Sequence, residues 1–230
     1  MASDHSSTVP DSADDKSRSA FLGSTEFLDI AHPRLSSFAR AAVRGAESDA
    51  DLAACLFRAV RDGIRYNPYA IRADRRSYRA SQIAQSGENW CVPKAVLLVA
   101  AARSVGIPAR LGFADVRNHL STPKLRALMG TDLFVYHGYA ELFVAGRWFK
   151  ASPAFNSELC ARFGVSPLEF DGTKDALLHA YDGSGQRYME YVHDHGWYPD
   201  LPFDDIMAAL ESAYRWTTWP AVSDAGFQPS

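Results

Sequence analysis

The stretch that decides the fold is GENWCVPKAVLLVAAARSVG, residues 87–106. From 92 to 105 the side chains are apolar almost all round, which predicts a helix that is buried on every side. Pro93 falls in the first turn, where a missing N–H costs little, and Gly106 follows the last turn, where glycine is favoured. Cys91 therefore lies where a loop meets the start of a buried helix.

The segments on either side of this helix predict an α+β domain. Upstream, apolar residues recur at helical spacing over 35–43 and 52–64. Downstream, 109–115, Leu133–Val144 and Arg147–Ala151 have the composition of strands, and a short turn joins the last two. We expect a helical N-terminal half, then the buried helix, packed on an antiparallel sheet.

The remaining segments are less regular. Residues 66–88 show no strong periodicity and predict a long connection with one helical turn, and long structured loops often line sites. In the C-terminal third we expect helices at 157–163 and 204–215 and an extended segment at 186–192.

Composition is typical of a soluble globular chain, with 47% hydrophobic and 22% charged residues among 230. We expect 1–20 to be a flexible leader, 21–215 a single domain and 216–230 a C-terminal tail. The net charge of −3 supplies no broad positive field, and the longest apolar run, 95–102, is too short to cross a bilayer. Neither nucleic acid nor a membrane is an expected partner, and the oligomeric state stays open.

The cysteine and histidine pattern indicates neither disulfides nor a metal cofactor. Cys55, Cys91 and Cys160 are odd in number and form no CxxC pair, which favours a reducing, cytoplasmic location. His193 and His195 alternate in an extended segment, but no third ligand accompanies them at a recognisable spacing.

Cys91 and His137 are the candidate catalytic residues. The positive end of a helix lowers the pKa of a thiol and so favours the reactive thiolate. His137 falls in a predicted strand whose alternate residues, His137, Tyr139 and Glu141, share a face. A histidine there can accept the thiol proton and return it to a leaving group. Each residue taken alone is more often an ordinary buried side chain, so the assignment depends on its context.

That context is a resemblance to a known family. GENWC at 87–91, followed by an apolar helix that closes in ARSVGIPAR at 102–110, resembles the cysteine segment of the bacterial transglutaminase-like superfamily. HGYAELFVAGRW at 137–148 is similar to the family's histidine segment, and the likeness extends over roughly residues 27–155. The resemblance implies a papain-like and transglutaminase-like fold, with a cysteine nucleophile and a histidine acid–base.

One position departs from the family's pattern. The family usually places an aspartate four residues after the tryptophan to orient the histidine, and here that position is Ser152. Either Ser152, through a water, or Asn156, through its amide oxygen, could take this role. Ser152 and Pro153 also fit an ordinary turn, and Asn156 fits a helix N-cap.

Further residues are candidates for contact with the substrate. The backbone N–H of Cys91 is the natural donor to an oxyanion, and an upstream side chain should supply a second donor. The candidates for this donor and for other substrate contacts are Tyr66, Asn67, Asn89, Trp90 and Tyr139.

The sequence predicts a cysteine-dependent acyl-transfer enzyme that acts on an amide or thioester in a peptide, a protein or a small molecule. If water resolves the acyl-enzyme, the protein is a protease or other hydrolase, and if an amine does so it is an acyltransferase. The alternative is a transglutaminase-like protein that has lost activity and serves as a binding or scaffold protein. The missing aspartate favours this alternative, whereas the joint presence of Cys91, His137 and Glu141 favours catalysis.

Overall fold

A computed structural model describes residues 19–119, 121–177 and 189–219. The helices are α1 (Pro33–Ala42), α2 (Asp49–Gly63), α3 (Ala80–Ile83), α4 (Cys91–Ser104), α5 (Pro123–Met129), α6 (Ser157–Arg162) and α7 (Phe203–Tyr214), with 3-10 turns at Arg75–Tyr78 and Trp216–Thr218. The strands are β1 (Arg65–Tyr66), β2 (Glu88–Asn89), β3 (Ala109–Asn118), β4 (Leu133–Val144), β5 (Arg147–Ala151) and β6 (Met189–Tyr198).

The predicted buried helix is α4. Every residue from 91 to 103 in it is buried, and it packs against α1, α2, α3, β3 and β4. A helix surrounded in this way needs apolar side chains on all of its faces, which is the pattern that the sequence has. The side chain of its N-cap residue, Trp90, makes no capping hydrogen bond, so it satisfies none of the first-turn N–H groups.

The predicted antiparallel sheet has the strand order β5-β4-β3-β6. Leu111 pairs with Ala140, and these two residues and Leu142 belong to the same core as α4. The opposite face of these strands carries polar side chains, among them the ion pair between Arg110 and Glu141 at 2.6 Å. The expected α+β architecture, with a buried helix packed on an antiparallel sheet, is confirmed.

Several elements differ from the prediction. Strand β3 continues to Asn118, three residues beyond its predicted end at 115, and α5 was not predicted. Thr122 caps α5 by accepting the N–H of Leu125 at 3.2 Å, and Gly130 ends it in a left-handed conformation. Thr-Pro before and Gly after the segment were usable signals for a short helix.

Parts of the predicted leader and of the predicted tail lie outside the residues that the structure describes. The structure does not describe residues 1–18, which hold most of the predicted leader. It also leaves out 186–188, the start of the predicted extended segment, and 220–230, most of the predicted tail. Trp216 and Trp219, which were assigned to the tail, pack against the core. Within the described ranges, no helix combines the length and the apolar character needed to cross a membrane.

Candidate active site

Cys91 and His137 line the same cavity. Both side chains are buried, Cys91 being 5% and His137 3% exposed, and the cavity has a volume of about 30 Å³. The other side chains around it are mostly apolar. They come from β1 and the loop before α4, from α5, from the start of β4, from α7 and from the end of the last 3-10 turn. They include Tyr66, Trp90, Leu125, Met129, Phe134, Leu210, Tyr214 and Trp219.

A glycine lets the two candidate catalytic residues approach each other. Gly138 follows His137 and packs against Val92, which follows Cys91. A Cβ at Gly138 would lie 2.9 Å from the Cα of Val92, closer than such atoms approach. The backbone of Gly138 also hydrogen-bonds the Cys91 thiol, which favours the thiolate. Sequence reasoning missed this glycine, although a glycine inside a strand often marks a close approach.

Ser152 is the partner of the histidine ring. The Oγ of Ser152 lies 3.2 Å from the Nε2 of His137, and Ser152 is 1% exposed. The N–H of Ser152 donates to the carbonyl of Ala176 at 2.8 Å, which fixes the chain after β5. When Nε2 carries the proton and donates to Ser152, the ring's Nδ1 has a free lone pair and can accept a proton.

Asn156 contacts a different part of the site. Its Oδ1 accepts the N–H of Tyr66 at 3.0 Å. The amide oxygen therefore hydrogen-bonds the backbone of a residue that lines the cavity, and it does not contact the imidazole of His137. Asn156 is the N-cap residue of α6, as predicted, but its side chain makes no capping bond. Asp62 instead accepts the N–H of Ser157 at 2.8 Å.

The structure brings two of the predicted substrate-binding residues to the cavity and leaves the others outside. Tyr66 and Trp90 line it, whereas the Asn89 amide donates to Ser86 at 3.3 Å and lines a neighbouring groove. Asn67 likewise donates to a carboxylate, that of Glu88, at 3.1 Å.

Tyr139 also lies away from the cysteine. Its ring covers Gly112 on the adjacent strand, where an added Cβ would fall 2.1 Å from a ring carbon. Its hydroxyl lies 3.4 Å from Asp194, and the Nζ of Lys150 lies 5.1 Å from the ring centroid. The expected contact between Tyr139 and substrate is therefore not supported, because the ring packs on Gly112 and contacts Lys150 and Asp194 on the outer face of the sheet.

Burial controls the protonation of the two candidate catalytic groups. Burial raises the pKa of the Cys91 thiol from 9.0 to about 11, although N–H donors from Gly138 and Val92 and the charge of Lys94 act in the opposite direction. Burial also lowers the pKa of His137 from 6.5 to about 4. Both shifts favour a thiol and a neutral imidazole near neutral pH, whereas the helix N-terminus alone would favour the thiolate.

A lysine is buried one turn further along α4. Lys94 is 0% exposed and donates to the carbonyls of Arg61, at 2.9 Å, and Ile64, which terminate α2. A cation suits the negative end of a helix. Burial nevertheless lowers the pKa of Lys94 to about 7. Lys94 thereby ties the cysteine helix to the segment that leads to Tyr66.

The backbone immediately before His137 is in an unusual conformation. Tyr136 has a φ of 52°, in the left-handed region, and its N–H donates to Asp115 at 3.0 Å. The pairing of β3 with β4 is irregular around Asp115, and the same carboxylate oxygen lies 2.7 Å from the Nε2 of His195. The His195 ring stacks on Tyr136 with the centroids 4.1 Å apart. A β-bulge of this kind redirects a side chain at the end of a strand pairing.

Comparisons with known proteins identify a family for this chain. The family model of the transglutaminase-like superfamily matches residues 36–153. A solved structure of a candidate cysteine protease from Cytophaga hutchinsonii has a TM-score of 0.44 and 15% identity, over 78% of this chain and 54% of that chain. For a candidate protease from Parabacteroides distasonis ATCC 8503 the TM-score is 0.37 and the identity 14%, over 58% and 25% of the two chains.

The chain thus spans about half of the first neighbour's length and a quarter of the second's. No curated protein matches it. The family match covers just over half of the chain and includes both the cysteine segment and the histidine segment. The chain therefore belongs to the transglutaminase-like superfamily.

Proposed function

We propose that this protein is a cysteine-dependent acyl-transfer enzyme in which Cys91 is the nucleophile and His137 the general acid and base. The observation that carries the proposal is that both side chains line one cavity, while Ser152 lies 3.2 Å from the Nε2 of His137. A nucleophile next to a base, with the base contacted by a third group, is the arrangement that covalent catalysis needs.

The first half-reaction forms a thioester. Nδ1 of His137 accepts the thiol proton as the sulfur of Cys91 forms a bond to the substrate carbonyl carbon. The resulting oxyanion accepts a hydrogen bond from the backbone N–H of Cys91, at the start of α4. The bond to the leaving amine or thiolate then breaks, and this group takes the proton from His137.

The second half-reaction regenerates the enzyme. Water or an amine donates its proton to His137 as it attacks the thioester, and the sulfur of Cys91 leaves and recovers the proton. Because burial disfavours both the thiolate and the imidazolium, proton transfer should be concerted with attack on the carbonyl. Ser152 adds no negative charge to stabilise the imidazolium, so we expect slower acylation than an aspartate at this position would give.

A second candidate function is an inactive binding or scaffold protein of the same fold. It is favoured by the small cavity of about 30 Å³, by the neutral resting pair and by a serine at the position of the usual aspartate. Under this alternative, Cys91 would form no acyl adduct with any donor.

The test is detection of a covalent acyl-enzyme by intact mass after incubation with p-nitrophenyl esters, thioesters and peptide amides. Wild type should gain one acyl group that hydroxylamine removes, and Cys91→Ala should gain none. Cys55→Ala and Cys160→Ala are matched controls that should keep the adduct. An adduct that persists in Cys91→Ala would reject the assigned nucleophile, and no adduct in wild type would favour the scaffold function.

The same adduct can distinguish a hydrolase from an acyltransferase. Its decay should be followed in buffer alone and with increasing concentrations of a primary amine such as glycinamide. A decay rate that rises with amine, with amide as the product, would assign amine transfer, and a rate that is independent of amine would assign hydrolysis.

A further inference from the structure

We propose that a polar groove beside the cysteine helix binds a carboxylate of the substrate through Arg72 and Arg76. This inference rests on the proposed function and assigns a substrate class to it. The groove has a volume of about 530 Å³, which is in the range of small-ligand sites.

The groove lies next to the cysteine cavity. Asn89 and Pro93, on either side of Trp90 and Cys91 in the chain, line the groove. Ala70 also lines the groove, while the next residue, Ile71, lines the cysteine cavity. At about 30 Å³, the cysteine cavity accommodates little more than a single water-sized group. The groove can therefore take the part of an acyl donor that does not fit beside the sulfur.

The two carboxylates of the groove already have partners. Asp74 accepts the backbone N–H of Arg76 at 3.1 Å and so caps the 3-10 turn. Glu88 accepts from the guanidinium of Arg65 and from the amide of Asn67, each at 3.1 Å. The acidic side chains are thus engaged within the protein.

The two arginines of the groove are not engaged in this way. Both are exposed, and neither guanidinium forms an ion pair or a hydrogen bond with another residue in the described part of the chain. Arg75, from the same turn, contrasts with them because it pairs with Glu26 at 2.8 Å and with Asp204 at 3.0 Å. The groove therefore presents two guanidinium groups that have no side-chain partner among the described residues, beside the carboxylates of Asp74 and Glu88. A guanidinium matches the geometry of a carboxylate.

A buried tyrosine fixes the segment that carries these arginines. Tyr78 is 2% exposed, and its hydroxyl donates to the carbonyl of Arg72 at 3.1 Å and lies 3.4 Å from the N–H of the same residue. The hydroxyl of Ser77 donates to the carbonyl of Asp74 at 2.6 Å. Because the backbone is fixed before any ligand arrives, less ordering free energy is lost on binding.

Equilibrium binding to the Cys91→Ala protein tests the groove without requiring any chemistry. The probes are N-acetyl-diglycine and its C-terminal amide, which differ only in the charge of the terminal group. NMR titration should show the carboxylate binding roughly fivefold more tightly than the amide, as befits an exposed ion pair. The double change Arg72→Ala and Arg76→Ala should remove this preference, and Arg79→Ala, an exposed arginine outside the groove, should keep it.

Equal affinity for the two probes would overturn the inference, and so would a preference that survives the double change or disappears in Arg79→Ala. Titration with inorganic phosphate is a further test of which anion the groove binds. If phosphate binds with the same dependence on Arg72 and Arg76 while the two peptides bind equally, the carboxylate assignment is wrong.

A reactive pair of probes separates this inference from the proposed function. N-chloroacetyl-diglycine and its amide should alkylate Cys91 in the wild-type protein, and the acid should react faster. Binding preference with no alkylation would keep the groove and weaken the nucleophile assignment. Alkylation at equal rates, together with equal binding, would keep the nucleophile and reject the groove.

Discussion

Acid should destabilise this protein through His137. Burial lowers the pKa of His137 from 6.5 to about 4. Between pH 6.5 and 4 the unfolded chain therefore protonates this imidazole, whereas the folded protein keeps it neutral. The stability that the neutral ring contributes is complete above about pH 6.5 and is lost as the pH falls towards 4. A shift of about 2.5 units, at about 1.4 kcal/mol per unit, corresponds to about 3 kcal/mol. This is a large share of the stability of a typical domain.

Urea unfolding of wild type and His137→Gln at several pH values between 7 and 4 measures this contribution. The carboxylates titrate in both proteins, so they cancel when the two pH dependences are compared. Between pH 7 and 4 the free energy of unfolding of wild type should fall by about 3 kcal/mol more than that of His137→Gln. His193→Gln, which changes an exposed histidine, should follow the wild-type curve. Parallel curves for wild type and His137→Gln would refute the argument that the ring is held neutral by burial.

Three further predictions follow from the same contacts. Ser152→Ala should slow alkylation of the Cys91 thiol by iodoacetamide, and Ser152→Asp should shift the pH profile of alkylation to lower pH because a carboxylate stabilises the imidazolium. Unchanged profiles in both variants would remove Ser152 from the candidate site. Gly138→Ala should destabilise the fold by about 1–3 kcal/mol and slow alkylation of Cys91, because the new Cβ meets the backbone of Val92. The control Gly63→Ala, which places its Cβ in open space, should do neither. Because the pKa of Lys94 is lowered, the folded protein binds fewer protons than the unfolded chain between pH 7 and 9, so the free energy of unfolding of wild type should rise by about 2 kcal/mol over that range. Lys94→Met should abolish this rise. Denaturant unfolding at pH 7 and pH 9 measures it, and a rise that persists in the variant would contradict the prediction.

Local sequence patterns were sufficient for the elements that carry the candidate site. The apolar run from 92 to 105 required a helix buried on all sides, and α4 is such a helix. The alternation around His137 identified β4, and its hairpin to β5 has the predicted bounds. These features depend on the side chains of neighbouring residues, which is why periodicity predicts them.

The third member of the site could not be chosen in this way. Ser152 and Asn156 both follow β5, and both have oxygens that could face an imidazole. The choice depends on the path of the chain after the strand, which is set by the bond from Ser152 to the distant Ala176 and by the bond from Asn156 to Tyr66. Such contacts link residues far apart in sequence, so no local pattern encodes them.

The protonation of the site likewise depended on tertiary packing. The sequence by itself determined that Cys91 begins a helix, and the N-terminus of a helix favours the thiolate. Only the fold decided that β4, α5 and α7 close over the sulfur and remove it from water. Desolvation then outweighs the helix terminus, because the charged form loses its hydration and gains only a few N–H donors in return. The helix and the residue types are properties of short segments, whereas burial is a property of every segment that packs around them.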